Sequence, residues 1–271
     1  MLGALLLLAL QSSPVDRAVA YLSAEVAKWR PENGCFSCHN NGDAARALYA
    51  VGREDKETTA WLTNPAIWAT NRGDPVVSDK KLARIQFANA LLAAAPGNQK
   101  AICEAAAIVA KDQSANGAWE VDGGSPVTYG TPLATYFSRG VLMACGSYPT
   151  QVEAAAKFIR GVPLANVADA AVRLLDNTGD ADARSYLLRA QTSDGGWGQY
   201  PNTPAEPFDT AIAMLALRRG EAVDKGRALM IKMQRADGAW DGTTRPPGAQ
   251  SYAQHISTTA WALLALVGKA R

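Results

Sequence analysis

The sequence has few of the residues and patterns that mark several large classes of protein. Among its 271 residues there are only two histidines and four cysteines, aromatic residues make up 7%, and runs of β-branched residues are scarce. Acidic and basic residues nearly balance, giving a formal net charge of +2 with Lys and Arg scattered along the chain. This scattered charge excludes the basic footprint of a nucleic-acid-binding protein. The Ala- and Leu-rich composition instead predicts a chain that is almost entirely helical.

One long apolar run stands at the start of the chain, the segment Met1–Leu10. It is too short to cross a bilayer as a helix, which takes about 20 residues, so we expect no transmembrane segment. The run and the small polar residues after it resemble a secretory signal, although the positively charged start is missing; a first helix of the fold is the alternative. We therefore predict a signal peptide over residues 1–13 and a single domain over residues 14–271. The protein would then be periplasmic or secreted, with contact to a membrane surface left open.

A seven-residue motif, Q-x-x-[DN]-G-[GA]-W, occurs three times, starting at Gln113, Gln191 and Gln234. Each copy lies between two segments with apolar residues at helical spacing. Glycine after Asp or Asn supplies the positive φ that ends a helix, and the glutamine can bond backbone groups left over at that end. The tryptophan covers the junction with a large apolar face. The motif therefore predicts a connector between two helices.

Glycine turns divide the chain into segments of about 40 residues, each long enough for one helical hairpin. These turns are at Gly34, Gly73, Gly117, Gly161, Gly195 and Gly238. An open stack of hairpins needs polar capping units at both ends, whereas both terminal segments here are amphipathic like the interior ones. We therefore predict an all-α fold, an (α/α)6 toroid in which about six hairpins close into a ring.

The motif, the hairpin period and two helix sequences resemble the squalene cyclase and protein prenyltransferase superfamily. The helix sequences are F-D-T-A-x-x-x-L-x-L from Phe208 and S-T-T-A-W-A-L-L-A-L from Ser257. The resemblance implies a central cavity that binds a hydrophobic small molecule of the isoprenoid type. It also implies that polar residues near the inner helix N-termini face the cavity mouth, namely Asp43, Tyr129, Thr131, Asp209, Thr210, Tyr252, His255 and Thr258. For each of these a helix cap or a turn contact is the alternative.

Whether such a cavity is catalytic depends on the acidic motif D-x-D-D-T-A, which supplies the proton donor in cyclases of this superfamily. The matching stretch here, E-P-F-D-T-A, has Glu206 and Asp209 at flanking positions and Phe208 at the donor position. Phenylalanine cannot donate a proton, so the candidate acids are Glu206, Asp209 and His255. The zinc site of prenyltransferases has no counterpart, because no D-x-C pair precedes His255. The stretch from Gly195 is faintly similar to toroidal pectate lyases, which leaves a polysaccharide lyase as a remote alternative.

The stretch C-F-S-C-H, from Cys35 to His39, matches the haem c attachment signature C-x-x-C-H. In this interpretation Cys35 and Cys38 form thioethers with haem, and His39 is an axial ligand of the metal. The thiols could instead form a disulfide, bind zinc with His39 and one of Cys103 or Cys145, or be purely structural. Cys103 and Cys145 are compatible with a disulfide in an oxidising compartment and equally with buried thiols.

Two functions follow from these patterns. The first is an exported toroid that binds an isoprenoid-type ligand and carries a c-type haem, with a binding or electron-transfer role and a redox partner. The alternative is an isoprenoid-modifying enzyme of the terpene cyclase type with a degenerate acidic motif.

Overall fold

The computed structural model describes residues 12–72, 80–121, 128–245 and 251–269. Within these ranges the chain is helical and contains no strand. The α-helices are α1 Pro14–Asn33, α2 Ala45–Ala50, α3 Lys56–Leu62, α4 Lys80–Ala94, α5 Gln99–Ala110, α6 Thr131–Cys145, α7 Pro149–Arg160, α8 Val167–Asp176, α9 Ala181–Ala190, α10 Pro207–Leu217, α11 Glu221–Met233 and α12 Tyr252–Val267. A π-helical turn, Cys38–Ala44, leads directly into α2, and a 3₁₀ turn, Pro65–Thr70, follows α3. No helix in the described ranges is both long and apolar enough to span a bilayer.

The helices form an inner and an outer ring. The π-helical turn with α2, then α4, α6, α8, α10 and α12, pack against one another in that order, and α12 returns to the π-helical turn. The remaining helices, α1, α3, α5, α7, α9 and α11, pack on the inner ones. Every residue of α10 is buried, as expected for a helix with neighbours on all sides. The predicted (α/α)6 toroid is therefore confirmed.

The three Q-x-x-[DN]-G-[GA]-W copies form corners that share one set of hydrogen bonds. In each corner the Trp indole N–H donates to a carbonyl 10 residues earlier. The Gln side-chain amide donates both to its own turn and to the first turn of the next outer helix. Gln234 makes the second of these bonds to Pro14 O, at 2.8 Å, and so joins the last corner to α1. The corner motif therefore links successive hairpins and also closes the ring.

The corner glycines are required by the backbone, because their φ lies between 90° and 94°. A Cβ on Gly238 would also come within 2.4 Å of Arg17 O, so glycine lets the last corner approach α1. Gly161 differs from the prediction. Its φ is −84°, so the turn between α7 and α8 is built without a left-handed glycine. Gly73 lies outside the described residues.

Two helix starts differ from the sequence prediction. Helix α12 begins at Tyr252, with Ser251 as its cap, whereas the apolar pattern placed its start at Ser257. The polar first turn hides this start from a search for apolar spacing. The helix expected to begin at Asp43 is preceded by the π-helical turn, which contains Asp43. Such turns occur frequently at functional sites. Residues 1–11 of the predicted signal peptide, which spans residues 1–13, lie outside the described residues, and Ser13 caps α1.

Candidate functional site

A buried carboxylate, Asp43, lies on the π-helical turn where elements of the inner ring meet, and it is 1% exposed. Its Oδ2 accepts hydrogen bonds from Gln86 Nε2 on α4 at 2.8 Å and from Ser257 Oγ on α12 at 2.5 Å. Its Oδ1 accepts one from the hydroxyl of Tyr129, just ahead of α6, at 2.8 Å. A Cβ on Gly42 would come within 3.0 Å of Gln86 Cβ, so glycine lets this turn approach α4. Three parts of the chain that are far apart in sequence therefore converge on one carboxylate.

Opposing effects act on the Asp43 carboxyl. Burial is the largest effect and raises its pKa above the ordinary value, because an apolar interior disfavours the charged form. The Arg46 charge and the three hydrogen-bond donors lower it. Burial also raises the pKa of Tyr129 well above its ordinary value, so this phenol stays protonated and available as a donor. The site thus favours a proton on Asp43 and also stabilises the carboxylate once that proton has left.

Aromatic rings and a buried cation surround this carboxylate. The Arg46 guanidinium lies 4.6 Å from the ring centroids of both Phe137 and Trp261. The Trp261 ring also packs against those of Phe208 at 5.7 Å and Tyr129 at 6.3 Å. Aromatic faces attract cations through the ring quadrupole. The inner ring therefore contains a buried aromatic cluster that holds the Arg46 cation close to a proton-holding acid.

The predicted acids Glu206 and Asp209 meet at the start of α10, where Arg245 bridges them. Arg245 Nη1 lies 2.5 Å from Glu206 Oε2, and Nη2 lies 2.8 Å from Asp209 Oδ2. Burial, followed by the neighbouring Glu206, raises the pKa of Asp209 to about 7, and Arg245 opposes them. This is a second carboxyl that holds a proton more firmly than usual. Unlike Asp43, it is hydrogen-bonded directly to a cation.

The other two residues singled out with this motif, Phe208 and His255, pack against aromatic rings on different helices. Phe208 is 2% exposed and packs edge-on against Trp261 of α12. His255 is on the first turn of α12, with its ring 5.8 Å from that of Tyr21 on the outer helix α1. Burial lowers the pKa of His255. The structure therefore brings Glu206 and Asp209 together but places His255 against the outer ring.

The C-x-x-C-H segment occupies the loop between outer helix α1 and the π-helical turn. Cys35 and Cys38 remain thiols and are partly exposed. Cys38 Sγ lies 3.8 Å from His39 Nδ1. The His39 ring packs edge-on against Trp29, at 4.8 Å, and against Tyr252, at 5.5 Å. The loop thus leads from an outer to an inner element of the ring, as the tryptophan corners do.

His39 has a buried ring nitrogen without a hydrogen-bond partner among the described residues. Burial lowers its pKa to about 4, so the imidazole is neutral near pH 7. Its Nε2 is enclosed and has no hydrogen-bond partner among the described residues. Neutral imidazole is the form that binds metals. A haem iron could reach Nε2 only if the side chains covering it moved, and the haem assignment stays a prediction.

Cys103 and Cys145 form a disulfide between α5 and α6. This resolves the choice left open by the sequence, and these two sulfurs are therefore not available as zinc ligands beside His39. Across the described ranges, no group of three or more His, Cys, Asp and Glu side chains is arranged to hold a metal ion.

The threonines expected at the cavity mouth serve as turn contacts. Their hydroxyls accept hydrogen bonds from backbone N–H groups of the preceding loops, at 3.0 Å for Thr210, 3.1 Å for Thr258 and 3.4 Å for Thr131. The Tyr252 hydroxyl donates to Glu25 Oε2 at 2.5 Å. These contacts support the alternative given from the sequence, in which these four residues make structural contacts in caps, turns and packing.

Sequence reasoning missed three partners of Asp43, namely Gln86, Ser257 and Arg46. Gln86 carries a usable signal, since it is a polar residue between Ile85 and Phe87 on a largely apolar helix. Ser257 and Arg46 carry none, because single Ser and Arg residues are ordinary in helices. Their roles depend on contacts across the ring, which no local pattern encodes.

Comparison with known proteins places the fold. No protein family model matches the chain. Drimenyl diphosphate synthases from Streptantibioticus cattleyicolor and Streptomyces showdoensis are 40% and 34% identical over 62 and 64 residues. Each match covers 21% of this chain and only 12% of the relative.

Solved structures match over most of the chain. The type II terpene cyclase MstE from Scytonema aligns with a TM-score of 0.55 and 15% identity, covering 94% of this chain and 98% of that one. A variant of MstE in complex with geranylgeranyl dihydroxybenzoate gives the same TM-score and identity. A protein from Actinoplanes aligns with a TM-score of 0.59 and 16% identity, covering 95% of this chain and 99% of that one. At these identities the likeness is one of fold, and the chain is a terpene cyclase-like toroid.

Proposed function

We propose that this protein is an isoprenoid-modifying enzyme of the terpene cyclase type, with Asp43 as the acid that starts the reaction. The single observation that supports this most is the buried Asp43 carboxyl, held by three hydrogen-bond donors inside the ring. The fold it shares with MstE, and the short stretches of identity to drimenyl diphosphate synthases, support the same class of chemistry. This corresponds to the alternative drawn from the sequence, with a different acid.

The proposed first step is protonation of a carbon–carbon double bond. The Asp43 O–H bond breaks, its proton forms a C–H bond with the π electrons of the alkene, and a carbocation and a carboxylate result. Gln86, Tyr129 and Ser257 then stabilise the carboxylate by donating hydrogen bonds to it. The ring of Phe208, which packs on Trp261, stabilises the carbocation until a ring bond forms and a proton is lost to water.

Asp43 suits this role better than Asp209. An acid that must release a proton needs donors that favour its conjugate base, and Asp43 has three neutral ones. Asp209 is bound directly to Arg245, which would have to be drawn away before the carboxyl could meet a hydrocarbon. Phe208, at the expected donor position, supplies only an aromatic face.

The substrate class is inferred from the apolar residues around the acid. The rings of Phe137, Phe208 and Trp261 form a buried apolar cluster there, so a polyprenyl chain is the ligand whose chemistry fits. The compound bound to the MstE variant, geranylgeranyl dihydroxybenzoate, also contains such a chain. We therefore propose a hydrophobic isoprenoid substrate.

The experiment is product analysis with squalene, geranylgeranyl diphosphate and geranylgeranyl dihydroxybenzoate as probes. Wild-type protein should give a cyclised product, and Asp43→Asn should lower its rate by about 10²-fold or more. Asp209→Asn tests the acid predicted from the motif. Asp169→Asn is a matched control, since burial raises the pKa of Asp169 to about 6, but its side chain accepts a hydrogen bond from Asn166, the N-cap of its own helix. Full activity in Asp43→Asn would reject Asp43, and absence of product from every probe would reject the cyclase proposal.

The second candidate function uses a c-type haem on Cys35, Cys38 and His39. It is favoured by the buried Nε2 of His39, which has no hydrogen-bond partner among the described residues. It is compatible with a binding or electron-transfer role and a redox partner. Export to the periplasm or beyond is part of the same proposal, supported by the Cys103–Cys145 disulfide, because such bonds persist mainly in oxidising compartments.

A further inference from the structure

Ser257 connects the buried acid to a second hydroxyl. Its Oγ lies 2.5 Å from Asp43 Oδ2 and 2.9 Å from Thr128 Oγ1. Ser257 and Thr128 are themselves buried. A serine hydroxyl carries one proton, so Ser257 can donate to only one of these neighbours at a time and must accept from the other. The two hydrogen bonds therefore have two consistent directions.

Each direction matches one protonation state of Asp43. When the carboxyl is ionised, Thr128 donates to Ser257, and Ser257 donates to Asp43. When the carboxyl is neutral, Asp43 donates to Ser257, and Ser257 donates to Thr128. Passing from the first arrangement to the second moves one proton along each bond toward Asp43.

The other two partners of Asp43 do not continue the path. The Gln86 amide N–H is too weak an acid to give up its proton, so it can only donate a hydrogen bond. In the described part of the chain, the Tyr129 hydroxyl contacts Asp43 and no second hydroxyl. Ser257 is therefore the partner through which a proton can be handed on.

We propose that Ser257 and Thr128 form a proton relay that restores the proton of Asp43. This inference rests on the proposed role of Asp43 as the acid. After the carboxyl has lost its proton to substrate, the Ser257 O–H proton passes to Asp43 Oδ2 and the Thr128 proton passes to Ser257. A solvent proton replaces the one that Thr128 gave up. Ser257 and Thr128 thus act through Asp43 and do not touch the reacting alkene.

The test follows exchange of the Asp43 proton for deuterium by infrared spectroscopy, without any substrate. The neutral carboxyl band of Asp43 is the one that Asp43→Asn removes. Transfer into D₂O near pH 6 should shift this band rapidly in wild type. Ser257→Ala and Thr128→Val should slow the shift at least about tenfold, because each breaks the hydroxyl chain. Thr210→Val, which removes a buried hydroxyl that contacts a backbone N–H of its own corner and not Asp43, should leave the rate unchanged.

Three results would overturn the relay: wild-type exchange in both Ser257→Ala and Thr128→Val, equal slowing in Thr210→Val, or no neutral Asp43 band. Ser257→Thr, which keeps a hydroxyl, should exchange the Asp43 proton at the wild-type rate. That result would show that the slowing in Ser257→Ala does not come from a misfolded site. Should Ser257→Ala not fold, Thr128→Val gives the same readout. Because product formation is not measured, this result is separate from the outcome of the cyclase assay.

Discussion

The raised pKa of Asp209 predicts that the protein loses stability as pH rises from about 4 to about 7. The ordinary pKa of this carboxyl is 3.8, and in the folded protein burial and then Glu206 raise it to about 7. The folded state therefore keeps a proton that the unfolded chain releases. The resulting stability is fully present below the unfolded pKa and is lost as pH rises through the folded pKa. At 1.36 kcal/mol per pH unit this amounts to at most about 4 kcal/mol, an upper limit because Glu206 shares the proton.

The measurement is the free energy of unfolding in urea at several pH values across this window. Wild type should lose stability relative to Asp209→Asn as pH rises, because the amide has no proton to release. Asp182→Asn, at an exposed position on α9, is the control and should keep the wild-type slope. Only the change of the unfolding free energy with pH is compared, so a constant loss of stability from the missing bond to Arg245 does not affect the test. Equal slopes in wild type and Asp209→Asn would refute the reasoning.

Three further predictions concern the ring and its cysteines. Gln234→Ala removes the two hydrogen bonds that join Pro14 O to Gly238 O and should lower the free energy of unfolding by about 1–3 kcal/mol, measured in urea; an unchanged value would show that the last corner does not hold the ring closed. Reduction of Cys103–Cys145, which closes a loop of 42 residues, should cost about 4 kcal/mol in the same assay, and insensitivity to reductant would contradict the disulfide. Protein made with haem-maturation machinery should show a Soret band that His39→Ala perturbs, whereas the absence of covalent haem would remove the haem proposal.

The ring architecture could be predicted from the sequence because it is encoded locally and repeatedly. Each corner combines a left-handed glycine, a buried tryptophan and a glutamine that bonds two carbonyls, and these requirements recur at the period of one hairpin. Gly161 shows the limit of this reasoning, since its turn has the right spacing but a φ of −84°. Spacing alone indicates a turn and does not determine its backbone.

The site was less predictable because its chemistry is assembled across the ring. The acidic motif led to Glu206 and Asp209, which do meet, but it gave no sign that Arg245 bridges them. Asp43 could be named as a residue facing the cavity mouth. Its partners could not, because Gln86 and Ser257 approach it from sequence positions 43 and 214 residues away.

The difference between the two buried carboxyls decides how the proposed enzyme would work. Both hold protons because burial disfavours the charged form, but they differ in what stabilises the charge after release. Asp209 is bound to a cation before any reaction, which favours its ionised form and keeps hydrocarbon away. Asp43 is bound by neutral donors, and the nearby Arg46 guanidinium, which also lowers its pKa, lies against the rings of Phe137 and Trp261. An acid that must stay neutral until an alkene arrives, and ionise readily when it does, needs the second arrangement, which is why the reactive proton is assigned to the first hairpin and not to the degenerate motif.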